Sequence, residues 1–521
     1  MEAKLAAREQ EQAQVITSLT LQNEWLLEQL KLSKKKLFGR SSEQAEQMVM
    51  EQLSLTYNEL EAYAFGTKAA TEKQITVKAH ERKRQSGNVL DVVPEGTPTE
   101  VVEHRLPENE RICAACGSQM VEIGKEVRRT LQMKPAKFWV REDVYYTYAC
   151  KNCEQETGEA NIAKTAKEPA LLPGSFASAE AVAYLAAQKF VMYSPLYRLE
   201  QEFNRQGLKL SRQTMSNWII KCADRYFAPF VERMKSELLS LHVTQSDETP
   251  TQVIADSDHP NSKCYMWVHR SGELYKERPI VIYEYQKGRD HHKPLDFYRD
   301  YKGILVTDSL QQYHVLERKL PEVTNANCWA HARRKFEEAL QTLPKEMQKD
   351  SPAAIGECYC SRLFKLEQAF AELTPEERYE KRLEQEKPVL DALLSWANEM
   401  QARAAPKSAL GRAIHYLLEQ WPYLTRYLED GRLELSNNRA ERSMKPFVMG
   451  RKNWLFANTP GGAQASAVIY SLIETAKENK LDPYKYLLWV LQSAPGLSQA
   501  DEFWAEKLLP ANAPQECHVP Q

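Results

Sequence analysis

His242-Val-Thr-Gln-Ser-Asp-Glu-Thr-Pro250 is the stretch on which the reading of the fold turns. Its apolar start, His242–Thr244, is the first of five short apolar runs; Tyr265–Val268, Ile280–Tyr285, Ile304–Val306 and Val323–Cys328 follow. Runs this short, bounded by polar and turn-forming residues, read as strands, and five in succession read as one mixed sheet. Asp247 follows the first run, and Asp308 follows the fourth in Ile304-Leu-Val-Thr-Asp-Ser309. Both carboxylates are therefore expected at carboxyl ends of strands, where an α/β sheet presents ligands.

Beyond the sheet, segments rich in Leu, Glu and Ala run from about Ala332 to Glu429 and read as helices, and a basic stretch, Asn437–Lys452, comes next. The economical description is an α/β core over 240–478, interrupted by an all-helical insertion near 340–430 and followed by a C-terminal tail, 479–521. Glu441 is expected on a helix capped by Ser436, among Arg439, Arg442 and Lys445. A single acid among cations fits a metal ligand; pairing with Arg or Lys one helical turn away is the plainer alternative.

Upstream, residues 170–230 read as a helical domain. Within it Pro195–Gln206, Gly207-Leu-Lys-Leu210 and Ser211–Cys222 have the cadence of a helix-turn-helix. Ser211 suits an N-cap, and Arg212, Gln213, Ser216 and Asn217 would sit at the exposed start of the second helix, able to reach base edges or phosphates. Two helices packed together without DNA are the alternative.

Cys113-Ala-Ala-Cys116 and Cys150-Lys-Asn-Cys153 are separated by 33 residues, each pair with the spacer that lets two thiolates reach one tetrahedral Zn²⁺. Phe138-Trp-Val and Val144-Tyr-Tyr-Thr-Tyr alternate like strands between them, so 108–160 reads as a zinc ribbon in which one structural Zn²⁺ replaces a hydrophobic core. Two unrelated cysteine pairs are the alternative. Lys125–Arg141 carries six basic residues, Arg128 and Arg129 among them, against one acid, a face suited to a DNA backbone.

A polar linker, 66–107, separates the ribbon from leucine-zipper-like helices in 1–65. Leu5, Gln12, Leu19 and Leu26 fall at one heptad position and Ile16, Asn23, Leu30 and Leu37 at the other, which points to a dimeric or higher coiled coil or else to an ordinary amphipathic helix. Lys31-Leu-Ser-Lys-Lys-Lys-Leu-Phe-Gly-Arg40 follows with no acid; Lys34, Lys35, Lys36 and Arg40 read as a phosphate-contacting corner or as a solvated charge run.

At 521 residues, 43% hydrophobic and 27% charged, the chain has room for several domains, and 19 Gly with 26 Pro exclude a collagen-like or low-complexity protein. No run of about 18 apolar residues occurs, and Met1–Gln10 is charged, so a cytoplasmic protein with no membrane partner is expected. The net charge of -2, from 69 Lys+Arg against 71 Asp+Glu, hides local segregation and does not argue against a nucleic-acid partner.

Phosphodiester cleavage with two bound divalent cations needs about three carboxylates converging at one sheet edge, and Asp247, Asp308 and Glu441 offer such a set. Gln245-Ser-Asp-Glu-Thr-Pro250, Cys328-Trp-Ala-His-Ala-Arg-Arg-Lys-Phe336 and Ser436-Asn-Asn-Arg-Ala-Glu-Arg-Ser-Met-Lys-Pro-Phe447, continued by Gly450-Arg-Lys-Asn-Trp454, resemble the transposases of the insertion sequence 66 family. The resemblance spans nearly the whole chain, including the Leu37-Phe-Gly-Arg-Ser-Ser-Glu43 corner.

The resemblance implies a multidomain α+β DDE transposase with an RNase H-like core. Asp247, Asp308 and Glu441 would hold two Mg²⁺ (or Mn²⁺) ions, with Arg442, Lys445, Arg451 and Lys452 beside the last motif as DNA contacts. Hydrolysis at a transposon end would precede attack of the freed 3′-hydroxyl on target DNA. The implied partners are double-stranded DNA, further copies of the chain and accessory proteins of the same element, in a bacterial nucleoid.

Cys328 and His331 form a Cys-x-x-His step read as structural or DNA-positioning, the alternative being a core cysteine and a helix-capping histidine. Glu248 and Glu474 are rival acids, and Trp454 is either a base-stacking or a core aromatic. Ser309-Leu-Gln-Gln-Tyr313 departs from the family pattern, which leads one to expect a glycine and a tyrosine close behind the second acid. The competing functions are a non-catalytic DNA-binding relative and a plain nuclease without end recognition.

Overall fold

The computed structural model describes residues 147–150, 161–164, 169–256, 264–289 and 292–520. These belong to two units. In the first, β1 (Thr147–Cys150) pairs antiparallel with β2 (Asn161–Lys164), Cys150 standing opposite Asn161. Cys113, Cys116, Cys153, Arg128, Arg129, the coiled coil with Lys34, Lys35, Lys36 and Arg40, and the linker lie outside the described residues.

The second unit opens with four helices. Ser178 caps α1 (Ala179–Phe190) by accepting from the Ala181 N–H, and α2 (Leu196–Arg205) follows. Gly207, at φ +87°, takes a left-handed turn that a Cβ would oppose. Ser211 then caps α3 (Arg212–Cys222), accepting from the Thr214 N–H at 3.1 Å. A widened turn, Ala223–Phe227, carries α3 into α4 (Ala228–Ser240).

The five expected strands form one mixed sheet: β3 (Val243–Thr251), β4 (Cys264–Ser271), β5 (Val281–Lys287), β6 (Gly303–Thr307) and β7 (Val323–Asn327). Their order is β5-β4-β3-β6-β7, antiparallel from β5 to β3 and parallel from β3 to β7. Two helices serve the crossovers, α5 (His292–Phe297) before β6 and α6 (Gln311–Lys319) before β7.

Asp247 does not follow the first strand; it lies in the middle of it. Antiparallel pairing with β4 runs from Thr244 to Thr251, and these backbone bonds hold the polar stretch Gln245–Thr251 extended where no apolar alternation announces a strand.

Six helices come next: α7 (Trp329–Leu340), α8 (Lys345–Gln348), α9 (Pro352–Ala369), α10 (Pro375–Lys381), α11 (Lys387–Gln401) and α12 (Ala409–Leu424). Trp329, Phe336, Leu363, Leu393 and Leu417 build their core, which meets the sheet at Val243, Val306 and Ala326. A second core joins α1–α4, β4 and β5 to the C-terminal helices. Adjacent residues of β6 divide between the two, Leu305 entering one and Val306 the other, as the period of two requires.

After the insertion come α13 (Asn438–Trp454), α14 (Pro460–Glu478), α15 (Pro483–Ala500) and a short last helix, Trp504–Lys507. The segment read as a tail is thus part of the body: Tyr486, Leu487, Val490 and Leu491 of α15 are buried in the core that also holds α1. Burying these apolar side chains fixes the segment, at roughly 1.5–3 kcal/mol for a fully buried Leu or Val.

Candidate active site

Side chains alternate across β3, and the alternation sorts its polar residues onto two faces. On one face, Ser246 Oγ lies 3.0 Å from His269 Nδ1 and accepts from the Tyr313 hydroxyl at 3.1 Å. Glu248 follows on the same face, accepting from Tyr313 at 3.1 Å and from Arg289 Nε at 2.9 Å. Gln245, Asp247 and Thr249 point the other way, toward α13. Gln245 Oε1 accepts from the Ala440 N–H at 3.2 Å, and Arg451 donates to Thr249 Oγ1 at 3.3 Å.

Glu441 lies in the first turn of α13, where the helix dipole favours an anion. Asn437 caps that helix, not Ser436, and its side chain makes no capping bond. Its amide is committed elsewhere, donating to the Ser246 carbonyl at 3.1 Å and so tying the start of α13 to β3. Asp308 follows β6 directly and accepts from the Leu310 N–H at 3.2 Å, a side-chain turn that leads into α6. Tyr313 lies one helical turn beyond and is fully buried beneath β3, so a tyrosine supports the acids despite the altered Ser309–Gln312 turn.

Asp247, Asp308 and Glu441 thus share one electrostatic neighbourhood. Burial, then the charges of Glu248, Asp308 and Glu441, holds the Asp247 carboxyl well above the usual range. Burial, then Glu248, raises Asp308 to about 7. Glu441 Oε1 is buried without a hydrogen bond; His331 Nε2 and an Arg334 nitrogen each stand 3.5 Å from its carboxylate. Pairing of Glu441 with Lys445, one helical turn away, is absent among the described contacts, its partners coming instead from α7. Several half-compensated carboxylates, one with an orphaned oxygen, form a donor set that suits hard divalent cations.

Cys328 and His331 also meet Glu441, with ligand atoms of all three within 4.8 Å of one another. The Cys328 Sγ accepts from the Asn437 N–H at 3.1 Å, and burial pushes its thiol up to about 12. The Cys-x-x-His step supplies two of these three side chains, and the third arrives from α13, distant in sequence. Sequence reasoning missed Arg334, although Arg334 stands three residues from His331 and so shares its helix face. Arg289 carried no signal at all.

Of the rival acids, Glu248 belongs to the cluster but is held by Arg289 and Tyr313. Glu474 lies on α14, where Lys477 donates to it at 2.8 Å. Trp454 packs in the core against Phe190 and Tyr470, with the Lys189 ammonium 4.2 Å from its ring. Gly450 makes room for it, since a Cβ there would fall 2.0 Å from the indole. Arg442, Lys445 and Lys452 of α13 are exposed and Arg451 is half-buried; on α3, Arg212, Gln213 and Asn217 are exposed and Ser216 is half-buried.

Residues 174–465 match the family described as Transposase IS66 family. The chain belongs to that family. Residues 110–154, which contain Cys113, Cys116, Cys150 and Cys153, match the zinc-finger binding domain of transposase IS66. Residues 471–510 match the IS66 C-terminal element, and residues 25–102 match a further domain described as Transposase C of IS166 homeodomain. Relatives include the uncharacterized proteins y4hP and y4jD of Sinorhizobium fredii (strain NBRC 101917 / NGR234). The first is 28% identical over 89% of this chain and 85% of its own length. The second is 29% identical over 74% and 75%. A chain of a pre-cleavage Mos1 transpososome is 12% identical over 52% of this chain and 83% of its own, with a TM-score of 0.13, too poor a superposition to support a fold argument. Among the described residues no helix is long and apolar enough to cross a membrane.

Proposed function

We propose that this IS66-family chain is a DDE transposase that cleaves DNA at the ends of its element and joins them to target DNA. The observation that carries the reading is the convergence of three acids contributed by β3, the end of β6 and α13: the charges of Asp308 and Glu441 add to burial in raising the Asp247 carboxyl, and the charge of Glu441 adds to burial in raising that of Asp308. The strand order, three antiparallel and two parallel, supports reading the core as RNase H-like. Asp247, Asp308 and Glu441 would hold two Mg²⁺ or Mn²⁺ ions, which when bound supply charge neutralisation to the attacking and leaving oxygens of the phosphodiester.

The chain's own residues then do the remaining work. Asn437 fixes Glu441 against β3, Arg289 and Tyr313 hold the Glu248 carboxylate, and Asp308 is oriented by the Leu310 N–H. Arg442, Lys445 and Lys452 along α13 present cations to the phosphates of the bound strand, while Arg212, Gln213, Ser216 and Asn217 on α3 recognise the terminal repeat. Cys113, Cys116, Cys150 and Cys153 form a donor set suited to one structural Zn²⁺, with Arg128 and Arg129, between the two pairs in sequence, as backbone contacts. The heptad helices pair copies of the chain, and Lys34, Lys35, Lys36 and Arg40 add a basic corner. The protein acts in the bacterial cytoplasm on nucleoid DNA.

Cleavage of a labelled duplex bearing the element's own end, in Mg²⁺ or Mn²⁺, tests the reading against Asp308→Asn and Glu441→Gln. Wild type alone should cut while all three proteins bind. Binding without cleavage by wild type would leave a non-catalytic relative.

A further inference from the structure

Helix α13 ends at Trp454, and the next residue breaks the backbone sharply. Leu455 has φ +68° and ψ −49°, and the Phe456 N–H donates to the Trp454 carbonyl at 2.9 Å. That is a three-residue γ-turn of the rare positive-φ kind, strained for any residue with a Cβ. Strain of this sort collects at functional sites. Packing does not offset it here, since Leu455 is 65% exposed and Phe456 is 39% exposed. A glycine would take the turn without strain, yet the position carries a large apolar side chain held out in solvent.

The turn is also anchored. The Ala457 N–H donates to the Gln252 carbonyl at 3.0 Å, and the Ile254 N–H donates to the Ala457 carbonyl at 3.0 Å. This pairing brings a third exposed apolar residue, Ile254, onto the same tip. One turn back, Arg451 bonds Thr249, two residues along β3 from Asp247 and on the same face. Lys452 and Asn453 are exposed beside the tip, and Arg442 and Lys445 are exposed farther back on α13. An apolar point flanked by cations and fixed to the strand that carries the first acid matches one occupant, duplex DNA. Cations hold phosphates, while an apolar side chain that enters between base steps unstacks them and bends the helix.

We propose that Leu455 and Phe456 form a wedge that enters the base stack beside the scissile phosphodiester and opens the flanking pairs as the strand is drawn toward Asp247, Asp308 and Glu441. The proposal rests on the transposase reading above.

The test uses the full chain, Leu455→Gly and Phe456→Ser, with the element's end either fully paired or carrying unpaired bases beside the cut. Leu455→Gly relieves the turn, so its melting temperature should equal or exceed that of wild type. Both variants should cut the paired end roughly tenfold more slowly than wild type and the unpaired end at the wild-type rate. Wild-type speed on the paired end, or no rescue by unpaired bases, overturns the wedge.

A metal-free arm places 2-aminopurine next to the cut and reads its fluorescence on binding. A rise with wild type that Leu455→Gly loses supports the wedge even if wild type never cleaves, the result that would sink the catalytic reading alone. No rise with wild type overturns the wedge. So does a change in self-association of the DNA-free variants with unchanged fluorescence, which would make the tip a contact between copies.

Discussion

The guanidinium of Arg270, 1% exposed at the end of β4, donates to Ser443 Oγ at 2.5 Å, two residues past Glu441. The same group reaches the Arg439 carbonyl at 3.4 Å, two residues before Glu441, and Glu478 at 3.1 Å. The turn that carries the third acid is therefore held on both sides by one buried cation. Arg270→Met should lower stability in urea by about 2–4 kcal/mol, somewhat under the roughly 3–5 kcal/mol for breaking a fully buried pair because Glu478 is about a third exposed. It should also raise the Mg²⁺ concentration needed for half-maximal cleavage. An unmoved unfolding midpoint would mean that the guanidinium does not secure α13.

Asp247 and Asp308 have folded pKa values above their unfolded ones, with Asp308 near 7. The folded state keeps their protons longer, so stability from this source is full below about pH 3.9 and falls as pH rises through 7. Asp308→Asn should therefore stabilise the metal-free protein at pH 8, on the order of 1–3 kcal/mol, with little difference near pH 4. Mg²⁺ should raise the melting temperature of wild type at pH 8 more than that of the variant. Scanning calorimetry with and without Mg²⁺ checks both, and equal responses would disprove a shared metal site.

Zinc content separates the ribbon from the acid site. The purified full chain should carry one tightly held Zn²⁺, and Cys113→Ser or Cys153→Ser should lose it, as read by elemental analysis. Loss should unfold the ribbon, because a structural zinc site contributes folding free energy directly. Zinc retained in both variants would assign the cysteine pairs another role.

The two helices proposed to contact DNA should differ in what they read. Lys445→Ala should weaken binding to all duplexes alike and reduce the salt slope by about 1, as expected of a phosphate contact. Arg212→Ala should cost about 1–3 kcal/mol on the element's own end and less on unrelated DNA if it reaches a base edge. Fluorescence anisotropy across a salt series distinguishes them, and identical losses on both duplexes would make α3 a backbone binder.

The sheet was legible because each strand carries its own apolar run, and the α2–α3 turn because Gly207 and Ser211 act locally. The extension of β3 through Asp247 was not, since Gln245–Thr251 is polar and owes its conformation to β4. Motifs single out Asp247, Asp308 and Glu441 as candidates, but not the neighbours the fold gives them. His331 and Arg334 reach Glu441 across two elements distant in sequence, and Arg289 reaches Glu248 from a loop with no pattern of its own. The cap of α13 was misread for the same reason, because the partner of Asn437 is the β3 backbone rather than its own helix.

The bond from Asn437 to the Ser246 carbonyl also sets an order of assembly. Asp247 and Asp308 are both present by residue 308 and the last strand of the sheet by Asn327, whereas Glu441 comes only after the whole helical insertion, whose end returns to β3. A chain emerging from the ribosome therefore passes through a stage in which all five strands have been made but the third acid has not. On the proposed reading, a product truncated within the insertion would lack Glu441 and should neither bind the metal pair nor cut DNA.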